Sequence, residues 1–159
     1  ENKHANTLLS SDYAKTEMEI YWTKYNLDLK SKLDLVIYDD FQKVLYVVDV
    51  KTTSKPLAQF INSYEFFDYY RQMAFYIDAA INYRPYSIDW KIQPYFIVVE
   101  TKDFHQCKVF DVDPADIEKG RSEYTDMLLK IAWHTKEDKW KYDKEYYTDE
   151  KIEILSLSK

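Results

Sequence analysis

The chain has 159 residues, 46% of them hydrophobic and 18% aromatic, which suits one domain with a sizeable core. One glycine against sixteen tyrosines excludes a glycine-rich phosphate loop, and a single cysteine, Cys107, excludes a disulfide framework and a cysteine-rich zinc site. The net charge of −6 counts against a broadly basic nucleic-acid footprint, although acidic metal ligands and a local basic strip are compatible with it.

The N-terminal Lys3 to Leu9 reads as a helical turn or two, broken by Ser10-Ser11-Asp12. From Glu17, Met18, Ile20 and Trp22 alternate with polar neighbours, the period of a strand, and Lys24-Tyr25-Asn26 reads as a turn. In the next strand Leu27, Leu29, Ser31, Leu33 and Leu35 are expected on one face, with Asp28, Lys30, Lys32 and Asp34 on the other. Asp39-Asp40 starts a turn. Val44 to Val50 is a β-branched run with little alternation, as in a central strand buried on both faces.

Pro56 suits the first position of a helix carrying Leu57, Phe60, Ile61 and Tyr64. A longer helix is predicted from about Phe66 to Ile81, ended by Tyr83-Arg84-Pro85. Gln93 to Glu100 is a further strand, with Lys108 to Val112 its hairpin partner. Asp113-Pro114 caps a last helix over Ala115 to His134, and a charged, aromatic tail follows from Lys136. The order βββ-α-ββ-α predicts an α/β fold, a mixed sheet flanked by helices. Residues 1–159 read as a single domain. No apolar run approaches the ~20 residues that cross a bilayer, no secretory signal is visible, and a reducing, cytoplasmic setting without membrane contact is the simplest expectation.

The chemistry concentrates at two strand ends. Asp34 closes one apolar run, and Asp49-Val50-Lys51 closes the next. Two carboxylates and the Val50 carbonyl form a hard oxygen set of the kind Mg2+ takes while keeping several waters. Strand alternation turns Asp49 and Lys51 to the same side, so the lysine stands where it can orient a water or neutralise charge on a phosphodiester. Gln72 and Tyr76 are four apart on one helical face and can bond a phosphate or a carboxylate, although spacing alone favours an amphipathic core helix with the Tyr packed and the Gln at its rim.

Taken together, Asp34, Asp49-Val50-Lys51-Thr52-Thr53 and Gln72-Met73-Ala74-Phe75-Tyr76 resemble the PD-(D/E)xK nuclease superfamily in its RecB-like form. The C-terminal nuclease domain of RecE-type exonucleases (exonuclease VIII) is the closer likeness. Glu17 to Thr23 resembles that family's Glu-x-x-Ile-Tyr-Trp-Thr strand, Lys30 to Asp34 its Arg-x-Arg-Pro-Asp, and Gln93 to Phe96 its Gln-Pro-Thr-Phe strand.

The resemblance implies a restriction-endonuclease-like fold and a metal-dependent exodeoxyribonuclease. Such an enzyme degrades one strand of linear duplex DNA from the 5′ end, in phage-type or recombination processing. It implies Asp34 and Asp49 as metal ligands, Lys51 as the catalytic lysine, Gln72 and Tyr76 as active-site supports, and Mg2+ as cofactor with Mn2+ able to substitute. It further implies double-stranded DNA ends and a single-strand annealing protein as partners, and a ring-shaped homo-oligomer.

Relatives place a further His or acidic ligand on a helix upstream of the Glu-x-x-Ile-Tyr-Trp strand. Here sixteen residues precede Glu17, and His4 stands too near that strand to serve. The chain is therefore expected either to lack that helix or to hold an incomplete site, which leaves a non-catalytic DNA-binding or assembly module of the same fold as the alternative. A scaffold that binds protein through its aromatic surface is a third.

Lys30, Lys32, Lys55 and Arg71 are candidate phosphate contacts, and Thr52 and Thr53 candidate hydroxyl donors to the same backbone. Glu17 or Glu19 could face a metal, though both also suit a solvated edge. His105 and His134 read as surface residues, the latter complementing a helix C-terminus. The aromatic excess offers base-stacking platforms as well as core.

Overall fold

The computed structural model describes residues 2–102 and 105–148. Strands β1 (Ala14–Lys24), β2 (Leu27–Asp39), β3 (Val44–Thr53), β4 (Lys91–Glu100) and β5 (Cys107–Asp111) form one sheet in the order 1-2-3-4-5. All neighbours are antiparallel except β3 and β4. A parallel pair needs a crossover. It is supplied by α2 (Phe60–Phe66) and α3 (Tyr69–Tyr83). These two helices and α4 (Pro114–Glu137) cover one face, while α1 (Lys3–Leu9) covers part of the other. A short helix, α5 (Lys144–Thr148), follows α4. The last eleven residues of the tail lie outside the described residues.

Local chemistry explains most boundaries. Tyr25 and Asn26 both have positive φ (53° and 60°), the signature of a two-residue hairpin turn whose twist matches its strands. Asp39 accepts hydrogen bonds from the Phe41 and Gln42 amides and so closes the second turn. Asp113 caps α4 by accepting from the Ala115 amide, with Pro114 in the first turn.

Pro56 departs from expectation. Its ψ of 139° is extended, and it precedes a 3-10 turn at Leu57–Gln59 rather than opening an α-helix. The helices also divide later than periodicity suggested, because Asp68 takes φ 52° and separates α2 from α3.

One core lies between the sheet and α2, α3 and α4, built around Leu33, Val47, Met73, Ile77, Phe96 and Val98. A smaller one joins Ala5 and Leu8 of α1 to Leu35, Ile37, Val48 and Ile97. Leu33 and Leu35 therefore pack on opposite faces, contrary to the simple alternation read from β2. The β1–β2 ladder pairs Thr16 with Leu35 and Met18 with Leu33, passing over Glu17 and Asp34. Glu17 adopts φ 52°, a conformation costing about 1–2 kcal/mol for a residue with a Cβ, and the phase of both strands changes there. Asp34 stands at this change of face.

On the helical face, Asp78 of α3 binds Lys24 of β1 and Arg121 and Tyr124 of α4 (Lys24 at 3.4 Å, Arg121 at 2.9 Å). That tie fixes α3 across the sheet.

Candidate active site

β2 and β3 run antiparallel with Leu35 opposite Val48, so Asp34 and Asp49 follow at the next level, just beyond the last paired residues. Asp34 is half-buried, and its carboxylate accepts a hydrogen bond from the Val50 amide at 2.8 Å. The N–H and C=O of one strand residue point the same way, so the Val50 carbonyl is directed toward this gap too.

Asp49 is 2% exposed. Lys51 Nζ stands 2.7 Å from its Oδ2 as a close ion pair, and no other group donates to that buried oxygen. Burial pushes the Asp49 pKa up. The Lys51 ammonium opposes the shift and the Asp34 charge adds to it.

Lys51 is held from three sides. Asp49 shares its strand face, the Gln72 side-chain oxygen accepts from it at 2.9 Å, and the Tyr69 ring lies below it at 4.5 Å from the centroid. The Gln72 amide then donates to the Tyr76 hydroxyl at 2.9 Å. Burial raises the Tyr76 pKa, Gln72 works against that rise, and the Asp49 charge adds to it. Tyr76 therefore stays a neutral phenol whose own proton remains available to an acceptor.

Asp34, Asp49, Lys51, Gln72 and Tyr76, drawn from two strands and one helix, thus form one connected cluster. Sequence reading left Tyr69 without a role. Its signal was its place three residues before Gln72, on the same helical face.

The candidate phosphate contacts are placed differently. Lys30 and Lys32 project from the face of β2 opposite Ser31 and Leu33, paired with Glu19 (2.9 Å) and Glu17. Those pairings occupy Glu17 and Glu19 as well. Arg71 turns to α4, bound to Asp68 at 2.5 Å and Glu123 at 3.4 Å. The Thr53 hydroxyl is committed to a turn with the Lys55 amide at 3.0 Å. Thr52 and Lys55 are exposed at and beyond the end of β3.

His4 lies edge-on to Tyr95, on the α1 face of the sheet. His105 approaches the Glu100 carbonyl at 3.3 Å, and His134 stacks on Trp140 near the end of α4.

Among the described residues no group of three or more His, Cys, Asp or Glu side chains converges. The cluster nonetheless fits a hard cation. It offers the buried Asp49 carboxylate, met by Lys51 on one oxygen, a second carboxylate at the same level of the neighbouring strand, and a carbonyl aimed at the same gap. Mg2+ is commonly held by only one or two carboxylates, water completing its shell. A cavity of about 1010 Å³ between α3, α4 and the start of β4, walled by Trp22, Ile77, Ile81 and Ile117, does not include the cluster. No helix among the described residues is long and apolar enough to cross a membrane.

Comparison with known proteins bears on this geometry. The family model described as PDDEXK-like domain of unknown function (DUF3799) matches residues 4–150. Among solved structures, a candidate exonuclease from Eubacterium rectale aligns over 98% of this chain with a TM-score of 0.63 and 11% identity. This chain spans 59% of that protein's length. The structure of SSO0001 shows a weaker likeness, with a TM-score of 0.43 and 15% identity over 79% of this chain and 55% of its own. No curated protein is similar to the sequence at a significant level. The shared architecture is the mixed sheet flanked by helices, a restriction-endonuclease-like α/β fold.

Proposed function

This chain belongs to the PDDEXK-like domain family, and we propose that it is a divalent-metal-dependent nuclease that hydrolyses phosphodiester bonds of DNA. The observation that carries the reading is the buried Asp49 carboxylate, with Lys51 beside it on the same strand face and Asp34 at the same level of the neighbouring strand. Lys51 compensates the buried Asp49 charge in part, while two carboxylates share the gap with one ammonium; a bound cation would balance the second negative charge.

In this reading Asp34, Asp49 and the Val50 carbonyl hold the cation. When bound, it supplies charge for the phosphoryl oxygens and lowers the pKa of a water. Lys51 orients the attacking water and neutralises charge that develops on the phosphate. Gln72 fixes the Lys51 amine, and Tyr76 presents a phenolic proton at the rim of the same cluster.

The finer proposal is a Mg2+ enzyme, with Mn2+ able to substitute, that works as an exonuclease on linear duplex ends from the 5′ strand. Its setting would be cytoplasmic phage-type or recombination DNA processing, with a single-strand annealing partner and a homo-oligomeric ring. The sequence likeness to RecE-type exonucleases supports these points. A second reading, a DNA-binding or assembly module that does not cleave, is favoured by one observation: no third acidic or histidine side chain joins Asp34 and Asp49 among the described residues.

The test is cleavage of 5′-phosphorylated linear duplex DNA in Mg2+, Mn2+ or EDTA, comparing the wild type with Lys51→Ala. Metal-dependent loss of duplex in the wild type and little in the variant is expected. Equal loss in both would overturn the assignment of Lys51. Binding without cleavage in any metal would establish the second reading.

A further inference from the structure

Away from the acid–lysine cluster, the most ordered exposed feature is a row of aromatic rings. Phe110 of β5 stacks on Phe60 of α2 (centroids 5.3 Å apart, planes at 28°). Phe60 stacks on Tyr69 of α3 (6.0 Å, 25°), and Tyr69 on Phe67 (5.5 Å, 22°). The inner end is core, with Phe60 3% exposed. The outer end stands in solvent: Phe67 is 58% exposed, and Phe66, edge-on to it at 4.9 Å, is 79% exposed.

Two adjacent exposed phenylalanines forgo a large apolar transfer gain. The backbone holds them outside, because Asp68 at φ 52° breaks the helix directly after them. Its carboxylate is bound in turn by Arg71 and by the Tyr70 hydroxyl.

Tyr69 connects this row to the reaction centre. One neighbour of its ring is Phe67, and its π-system also carries the Lys51 ammonium at 4.5 Å. The exposed pair thus begins one ring away from the group assigned to the phosphate. A nucleic-acid strand carries a flat base close to every phosphate. Any base can stack on an aromatic face, whatever the sequence, as in proteins that bind single strands.

We propose that Phe66 and Phe67 form a stacking step for an unpaired base of the strand whose phosphate is processed at Lys51. The proposal rests on the nuclease reading and refines it: the preferred substrate is a strand end with at least one base free of its complement. A second protein chain is the competing occupant. Continuity of the ring row with Lys51 favours the base.

The experiment uses the full chain and an oligonucleotide with 2-aminopurine at an unpaired 5′ end, titrated in EDTA so that nothing is cleaved. The wild type and Phe67→Trp should quench the probe. The double variant Phe66→Ala/Phe67→Ala should lose the quench and bind about tenfold or more weakly, while its circular dichroism is unchanged. In Mg2+ the double variant should show a raised KM and a nearly unchanged kcat on ends with unpaired bases.

Equal quenching and equal Kd in wild type and double variant would overturn the proposal. So would an equal loss of affinity for a closed hairpin with no free end, or a change in sedimentation mass at constant Kd. Quenching by a wild type that cleaves in no metal would support the stacking step while removing the nuclease reading.

Discussion

Lys51 of β3 donates a hydrogen bond to the side-chain oxygen of Gln72 of α3 at 2.9 Å, so the amine is fixed from the helix as well as from its own strand. Two secondary structures formed far apart in the chain must dock before the lysine has a defined position. Fixing a long, flexible amine in advance is what makes it useful to a transition state.

Replacing the amine should therefore cost more than a charge. Lys51→Ala is expected to lower kcat for duplex cleavage by about 10²–10³-fold, the usual loss when one preorganised donor is removed. Stability should fall as well, because deleting the amine leaves the buried Asp49 carboxylate without its counter-charge. Single-turnover kinetics on a labelled duplex would decide this, and a loss under about threefold would end the assignment of Lys51.

Gln72 is a bridge, since its oxygen accepts from Lys51 and its amide donates to Tyr76 at 2.9 Å. Gln72→Ala strands both partners and should destabilise the fold by about 1–3 kcal/mol while lowering kcat. Tyr76→Phe removes one hydroxyl and should cost about 0.5–1.5 kcal/mol. A double-mutant cycle on urea stability measures the coupling, and strictly additive losses would show that the bridge carries nothing.

The carboxylate pair makes the cation visible without any cleavage. A divalent metal that binds only the folded state raises stability by about 2.7 kcal/mol at a hundred times its Kd. Adding Mg2+ or Mn2+ should therefore raise Tm in the wild type, and the shift should be lost in Asp49→Asn and reduced in Asp34→Asn. Calorimetry with and without EDTA reads this directly. The same shift in Asp49→Asn would place the cation elsewhere.

Asp49 also sets a pH dependence in metal-free buffer. Its pKa is raised above the ordinary 3.8, chiefly by burial. A raised folded-state pKa means that the native protein binds the proton more tightly than the unfolded chain. The resulting stability is full below pH 3.8 and is lost as pH rises through the folded-state value. Asp49→Asn cannot lose it, so its stability in EDTA should gain on the wild type with rising pH. Urea midpoints across that range would show a flat difference if Asp49 titrated normally.

Much of this was legible in the sequence because it is local. Alternation in Met18, Ile20 and Trp22 marked β1, and Asp113-Pro114 marked the start of α4. Spacing put Asp34, Asp49 and Lys51 at neighbouring strand ends, and the resemblance added Gln72 and Tyr76; in the structure Asp34 meets the Val50 amide, Lys51 pairs with Asp49, and Lys51, Gln72 and Tyr76 form one hydrogen-bonded chain. What stayed hidden depends on partners remote in sequence. The parallel pairing of β3 with β4 cannot be read from either strand alone. The change of face at Asp34 follows from Glu17, an ordinary residue by composition that takes a positive φ. The pairing of Lys30 with Glu19 and of Lys32 with Glu17 was equally hidden, because those glutamates lie in β1 and alternation within β2 does not show them.

Gly120 shows how a residue outside the site sets its geometry. The α3–α4 crossing is so close that a Cβ at this position would stand 2.7 Å from the Tyr70 carbonyl oxygen and 2.8 Å from the Arg71 Cα. Both obstacles are backbone, so no rotamer change relieves them. Alanine ordinarily gains about 1 kcal/mol over glycine in a helix, but here the overlap should prevail, as overpacking costs about 1–3 kcal/mol before compensation. Gly120→Ala should lower Tm, by about 2–4 °C for each kcal/mol lost in a chain of this size. Relief requires α4 to move off α3 or α3 to shift at Arg71, the residue before Gln72. Activity should therefore fall together with stability. Ser122→Ala, on the exposed side of α4, is the control and should change neither. Unaltered Tm and kcat in Gly120→Ala would mean that the two helices do not cross at this distance in solution.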